Sequence, residues 1–201
     1  MFVSAPPRSD AAQRIYDSNL ASQGYVMNLT RLWAWRPDVF EGFAALRAQL
    51  TSHSTLSRRD LSVLVSATAA AIGDSYCALA WGTTLAQEAG PALAATVLAS
   101  KEPDVLPPRD RALAAWARKV ARDPNGTRAA DVSELRDAGL GEREIVEATL
   151  FVVFRLAFST FNDALGVNPD REIAAAAPPE VVHAVDFGRP VSATPSKSAD
   201  G

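Results

Sequence analysis

Cysteine is nearly absent from this sequence, with Cys77 the only one in 201 residues. An intrachain disulfide is therefore excluded, and so is a zinc site built on several cysteines. The two histidines, His53 and His183, are far apart and do not show metal-ligand spacing, so we predict no metal site. A chain of this length can bury a sizeable core without such crosslinks.

Long hydrophobic runs and clusters of positive charge are also missing. The longest apolar stretches, 61–72 and 149–158, fall short of the roughly 20 residues of a membrane span, and the N-terminus lacks a signal-peptide core. Twenty Lys and Arg against 23 Asp and Glu give a net charge of −3, with no basic run for nucleic acid. We expect a cytoplasmic protein, where a lone thiol stays reduced, with no membrane or nucleic-acid partner.

The apolar residues along the chain follow a helical spacing. Alanine, the best helix former, is abundant, and alternating β-branched runs are scarce. These features predict an all-α bundle of roughly eight helices in one domain over 1–177, followed by a largely mobile tail over 178–201. The predicted helices cover about 10–22, 28–35, 37–50, 57–72, 74–88, 91–100, 109–122, 129–138 and 142–165, with a helical turn over 180–185.

The stretch from 56 to 82 is the most informative part of the chain. Ser57 and Asp60 resemble a capping box that opens an apolar helix, and Gly73 separates this helix from a second one. Tyr76 and Cys77 fall in the first turn of that second helix. The stretch resembles the core motif of the alkylhydroperoxidase D-like (AhpD-like), or carboxymuconolactone decarboxylase, superfamily. In that motif Cys-x-Tyr-Cys opens the second helix and a histidine follows four residues after the second cysteine.

The resemblance continues towards the C-terminus. Segments 135–140, 144–148 and 161–167 are similar to the last helices of the peroxidase-related branch of this superfamily. It therefore implies a compact AhpD-like helical fold over most of the chain. It also implies a homo-oligomer, since relatives form dimers, trimers and hexamers.

The redox motif itself is incomplete. In active relatives the second cysteine attacks a peroxide, the first resolves the resulting sulfenic acid as a disulfide, and a glutamate and a histidine relay protons. Tyr76 and Cys77 match the tyrosine and the second cysteine. Asp74 stands at the first cysteine, Trp81 at the histidine and Ser62 at the glutamate. The resemblance thus implies that the attacking thiol is kept, while the resolving thiol and both relay groups are lost.

These replacements weaken the chemistry that peroxide reduction at Cys77 would require. Asp74 precedes Cys77 by three residues on one helix face, so its carboxylate disfavours a thiolate. Trp81 offers only an indole N–H and cannot accept a proton. Without a second cysteine, an oxidised Cys77 needs an external thiol for its reduction. A self-contained peroxidase cycle is therefore not expected.

Each candidate site residue has a structural and a functional interpretation. Asp74 is either a helix N-cap or also a general acid or base, and Cys77 is either a core side chain or a reacting group. Trp81, Ser62 and Tyr76 are the candidate substrate contacts. Arg155 lies within an apolar segment, where it either pairs structurally or binds an anion.

Three functions remain open. The first is an enzyme that acts on a small organic substrate by acid–base chemistry without a cofactor. Asp74 and Cys77 are its candidate catalytic residues, with Asp74 as the expected proton-transfer group and Cys77 and Trp81 shaping the pocket. Decarboxylases or isomerases fit it better than peroxidases, because the decarboxylase branch works without a cysteine pair. The second is a single-cysteine peroxidase or reductase that uses an external thiol. The third is a non-catalytic oligomeric binding protein. The substrate and the oligomer number stay undetermined.

Overall fold

The computed structural model describes residues 1–100 and 105–193. Within these ranges the chain forms eleven α-helices and a 3₁₀ turn at Pro124–Gly126, without a β-strand. The helices are α1 (Asp10–Gln23), α2 (Asn28–Trp33), α3 (Pro37–Ser52), α4 (Arg58–Ile72), α5 (Ser75–Ala89), α6 (Pro91–Ala99), α7 (Pro108–Arg122), α8 (Ala129–Asp137), α9 (Glu142–Ala164), α10 (Arg171–Ala176) and α11 (Pro179–Ala184).

The predicted all-α bundle is confirmed. Eight of the eleven helices described are longer than six residues, which matches the expected number. The expected stops are also present, because Gly24, Gly73, Gly139 and Gly166 all adopt positive φ values at or just after helix ends. The short helix α10 was not predicted, since an alanine run after Pro169 carries no apolar periodicity.

Helix α4 is the centre of the fold. Its ten consecutive residues 60–69 are all buried, and it packs against α5, α6, α7 and α9. The helix begins with the predicted capping box, in which Ser57 and Asp60 exchange side-chain and backbone hydrogen bonds. Gly73 ends it with a φ of 77°.

A buried ion network holds three of these helices together. Arg109 of α7 donates to Asp60 Oδ1 of α4 at 2.9 Å and to Glu144 Oε1 of α9 at 2.6 Å. A second pair joins the same two helices, since Arg59 of α4 pairs with Asp110 of α7 at 2.5 Å. Because the arginines are partly exposed while Asp60 and Asp110 are buried, these pairs satisfy carboxylates that would otherwise lack partners.

The N-terminal helices form a looser layer. Helix α3 has no buried residue along its 16 residues. The layer is tied to α9 through Trp33, whose ring lies 4.5–5.9 Å from four phenylalanine rings and whose Nε1 donates to Asn162 Oδ1 at 2.9 Å. A cavity lies between this layer and the core.

Residues 178–193, which the sequence assigned to the tail, pack on the domain. Val181 of α11 is fully buried, and its Cγ1 methyl group lies 2.9 Å from the position that a Cβ on Gly82 would take. Arg189 exchanges hydrogen bonds with the Ser75 hydroxyl, and Ser192 N donates to Pro169 O. The apolar face of the short helix α11 is therefore sufficient to dock this segment on the domain. Residues 194–201 of the expected mobile tail lie outside the described residues.

In the part of the chain that the structure describes, no helix combines the length and the hydrophobicity needed to cross a bilayer.

Candidate functional site

The N-terminus of α5 is built around Asp74. Because Gly73 turns the chain sharply at the end of α4, Asp74 starts α5 as its N-cap and its Oδ1 accepts the Cys77 N–H at 2.9 Å. The side chain is buried, and its second oxygen, Oδ2, has no hydrogen-bond partner among the described residues. The capping role predicted for Asp74 is therefore observed.

Cys77 follows one turn later and is only 3 % exposed. Two groups of α9, Arg155 Nη1 and Ser159 Oγ, donate to its Sγ, each at 3.6 Å. Burial raises the pKa of the thiol well above its usual value, and the Asp74 carboxylate raises it further, while Arg155 and Ser159 oppose the shift. At neutral pH Cys77 is therefore a protonated thiol rather than a thiolate.

Cys77 forms part of the wall of a cavity of about 400 Å³ between the N-terminal layer and the core. Four of the six site residues predicted from the sequence line it together: Tyr76, Cys77, Trp81 and Arg155. The rest of the lining comes from α1, the start of α2, α3, α5 and α9, namely Ser18, Asn19, Ser22, Gln23, Met27, Leu29, Thr30, Phe40, Phe43, Ala44, Arg47, Ala80 and Phe158.

The cavity is positively charged. Arg155 is 9 % exposed and its guanidinium lies 5.3 Å from the ring centres of both Trp81 and Phe158. Arg47 of α3 lines the same cavity, where burial lowers its pKa and the charge of Arg155 lowers it further. None of the described residues that line the cavity is an aspartate or a glutamate.

Tyr76 contributes its ring rather than its hydroxyl. The hydroxyl donates to Asp170 Oδ2, whose other oxygen accepts the Asn28 N–H at 2.9 Å. Burial raises the pKa of Tyr76, and the charge of Asp170 raises it further. The phenol is thus fixed as a neutral donor that ties α5 to the segment before α10.

The structure does not bring the other two predicted residues to the cavity. Ser62 is fully buried inside α4, where its hydroxyl donates to the Arg58 carbonyl at 2.8 Å. Asp74 is absent from the cavity lining and acts on it only through Cys77.

A second carboxyl lies behind Asp74. Burial raises the pKa of Asp163 to about 7, and the charge of Asp74 contributes to the shift, while Arg189 opposes it. Arg189 also donates to the Asp163 carbonyl at 2.8 Å. The segment that carries Arg189 passes so close to α5 that a side chain at Gly188 would lie 2.3 Å from the Gly73 carbonyl.

Sequence reasoning missed several residues of the site. Arg47 lies one turn after Phe43 on the apolar stripe of α3, and Ser159 lies one turn after Arg155 on α9, so helical spacing could have found both. Asp163 and Asp170 lie 89 and 96 residues from Asp74 along the chain and carried no local signal. Residues 1–100 and 105–193 contain no cluster of three or more His, Cys, Asp or Glu side chains that could hold a metal ion.

Comparison with solved structures identifies the fold. The chain is 26 % identical to a peroxidase-related protein from Ralstonia eutropha JMP134, described as an alkylhydroperoxidase AhpD core, with a TM-score of 0.75 over 86 % of this chain and 93 % of that one. A peroxidase-related protein from Silicibacter sp. TM1040 is 23 % identical, with a TM-score of 0.73 over 86 % and 91 % of the two chains. The debrominase Bmp8, as a cysteine-to-alanine variant in complex with 2,3,4-tribromopyrrole, is 16 % identical, with a TM-score of 0.70 over 88 % and 95 %.

No family model and no curated protein matches the chain. The structural matches confirm the resemblance seen in the sequence, and the fold is AhpD-like.

Proposed function

We propose that this AhpD-like protein is an enzyme that acts on a small organic molecule by proton transfer, without a cofactor. The observation that carries the proposal is the position of the Cys77 thiol on the wall of the cavity, next to the buried Asp74 carboxylate that accepts the Cys77 N–H. The cavity volume lies within the range of roughly 300–1,000 Å³ that small-molecule sites occupy. Lyase, decarboxylase or isomerase chemistry fits this arrangement better than peroxide reduction.

The proposed step moves one proton. Cys77 keeps its proton at neutral pH, so it can donate to a bound molecule that develops negative charge beside Sγ. The thiolate left behind is stabilised by Arg155 and Ser159, which both donate to the sulfur. Asp74 sets the proton affinity of the thiol through its charge, and a proton from solvent restores the thiol after the product leaves. Trp81 and the Tyr76 ring hold the substrate body.

Asp74→Asn and Cys77→Ser test this proposal. Asparagine still caps a helix, so Asp74→Asn should keep the helix content while it removes the charge that acts on the thiol. A panel of small lactones, keto acids and enol acids in D₂O, followed by NMR, reports both conversion and proton exchange. We expect the wild-type protein to convert or exchange at least one compound and Cys77→Ser to lose this reaction. Asp74→Asn should shift the pH dependence of the reaction to lower pH, because the loss of its charge lowers the pKa of the thiol.

An unchanged reaction in both variants would contradict the assignment of Asp74 and Cys77. Asp137→Asn, on the exposed face of α8, is the matched control and should behave like the wild-type protein. If the compounds bind without conversion or proton exchange, the protein is a non-catalytic binding protein, the third of the functions considered, and not an enzyme.

One observation favours a second candidate, a single-cysteine reductase or peroxidase. The two donors on Sγ stabilise a thiolate once it forms, and Bmp8, a debrominase with the same fold, was captured with its bromopyrrole after loss of a cysteine. With a hydroperoxide, the Cys77 thiolate would take one oxygen to give a sulfenic acid and an alcohol. Two external thiols would then reduce the sulfenic acid, releasing water and a disulfide. Sulfenic acid formation no faster than in a free thiol excludes this candidate.

We also propose that the protein is a cytoplasmic homo-oligomer. Helix α9 exposes apolar side chains at helical spacing along one face, called here the α9 face: Val146, Leu150, Val153 and Phe161. Burial against another copy would remove this face from water, which supports an assembly; the number of subunits is open. Nucleic acid and membrane are not among the proposed partners.

A further inference from the structure

We infer that the cavity binds an organic anion, a carboxylate carried on an apolar ring-sized body, with the carboxylate held between Arg155 and Arg47. This inference names the ligand class of the same cavity and therefore rests on the proposed function for its location, although a pure binding protein would satisfy it equally well.

The charge of Arg155 is the first step of the argument. An arginine cannot lose its proton in a protein, and a buried charge without a partner is unfavourable. No carboxylate within residues 1–100 and 105–193 pairs with Arg155, whose contacts are two aromatic rings and a sulfur atom. Arg109 and Arg59, which are partly exposed, each meet a carboxylate instead.

The described lining of the cavity does not supply the missing anion. Among the described residues, Cys77 is the only acidic group in contact with the Arg155 guanidinium, and burial together with Asp74 raises its pKa and keeps it protonated. Tyr76 is a neutral donor to Asp170. The lining residues that the structure describes thus carry two positive charges and no negative one at neutral pH.

Arg47 supports the same conclusion from α3, a helix without a buried residue. It lines the same cavity as Arg155 and lies close enough for the two positive charges to repel each other. No hydrogen bond or ion pair is made by its side chain within the described part of the chain. An anion between the two guanidinium groups would relieve this repulsion and accept charge-assisted hydrogen bonds from both.

The remaining walls define the body of the ligand. Phe40, Phe43, Phe158 and Trp81 line the same cavity with aromatic surface, and two of these rings, Trp81 and Phe158, lie against the Arg155 guanidinium. An inorganic anion would leave this surface uncovered, whereas a ring bearing one carboxylate covers it and reaches both arginines. Such a ring would place its substituents near Cys77 Sγ.

Benzoate and its neutral isostere benzamide are the probes that test this inference by calorimetry. We expect the full-length protein to bind benzoate about tenfold or more tightly than benzamide. Arg47→Met, on an exposed helix, and Arg155→Met should each remove about tenfold of the benzoate affinity and leave benzamide binding unchanged. Arg58→Met, an exposed arginine outside the cavity, is the matched control.

Equal affinity for the two probes, absence of benzoate binding, or full benzoate affinity in both methionine variants would overturn the inference. If Arg155→Met does not fold, Arg47→Met and the comparison of probes still decide it. A thiolate ultraviolet absorbance from Cys77 at neutral pH would also overturn it, because the sulfur would then neutralise Arg155. Benzoate binding by the wild-type protein that is not accompanied by conversion or proton exchange of any compound would retain the anion site and reject the enzyme.

Discussion

Helices α4 and α3 are nearly equal in length, with 15 and 16 residues, and both carry an apolar stripe, yet their burial is opposite. Helix α4 contains ten consecutive buried residues, whereas α3 contains none. The other core helices surround residues 60–69 of α4, whereas the cavity lies beneath α3. A helical stripe therefore indicates which face points inward, but not whether protein or a ligand fills the space it faces.

This difference separates stability from recognition. The core fixes the N-terminus of α5, and with it Asp74 and Cys77, while the looser layer contributes Arg47, Phe40 and Phe43 to the cavity. Substitutions in the core should change the free energy of unfolding most, and substitutions in the layer should change ligand binding more than stability.

The largest expected effect is that of Leu64→Ala. Leu64 is fully buried at the centre of α4, so its truncation should lower the free energy of unfolding by about 3 kcal/mol. Leu46→Ala, on the partly buried face of α3, is the matched comparison and should cost about 1 kcal/mol or less. Urea denaturation of both variants checks this, and equal losses would erase the distinction between core and layer.

The next effect concerns the cap of α5. Asp74→Ala removes the side chain that accepts the Cys77 N–H and should destabilise the protein by about 1 kcal/mol. Asp74→Asn keeps a capping oxygen and should change stability much less. Both variants should lower the pKa of Cys77, because each removes the negative charge that raises it, as thiol alkylation rates across pH would show. An unshifted alkylation profile would mean that burial alone sets this pKa.

A smaller effect, dependent on pH, is expected at Asp163. Its pKa is raised from 3.8 to about 7 in the folded protein, so the folded state binds a proton more tightly than the unfolded state. Stability should therefore fall as the pH rises from about 4 to about 7, by on the order of 1 kcal/mol after allowance for solvent screening. Asp163→Asn should flatten this part of the pH profile, and Asp137→Asn should retain it. A profile as steep in Asp163→Asn as in the wild-type protein assigns the dependence to other groups.

The smallest effect on stability belongs to the α9 face. Val153 is 48 % exposed, so Val153→Glu should change the free energy of unfolding by less than about 0.5 kcal/mol. It should nevertheless shift the assembly towards smaller species in sedimentation velocity. Val105→Glu, at a residue that is 70 % exposed and outside the α9 face, should leave the assembly unchanged. A wild-type protein that sediments as a monomer would contradict the proposed oligomer.

The sequence predicted the helices well because their boundaries depend on local chemistry. Glycines with positive φ, the Ser57–Asp60 capping box and the prolines at 37, 91 and 108 act within one or two turns. The docking of residues 178–193 escaped prediction because it depends on the space that Gly82 leaves for Val181, a contact across 99 residues of sequence.

The site was predicted in part for the same reason. Tyr76, Cys77 and Trp81 share one helix, and the motif places them together. Arg155 was identified as unusual because a charge interrupts an apolar run, and it does line the cavity. Ser62 was chosen from its place in the motif alone, and its hydroxyl is satisfied within its own helix instead. The Asp74–Asp163 proximity required the tertiary fold.

The lone cysteine also has a practical consequence. Cys77 is almost fully buried in the wall of the cavity that α3 covers, and α3 itself has no buried residue. The sequence contains no other thiol that would compete with Cys77 for a reagent. The rate at which a thiol reagent labels Cys77 of the unmodified protein at fixed pH therefore reports how often the N-terminal layer opens. A ligand that holds this layer closed would be detected as a slower labelling rate.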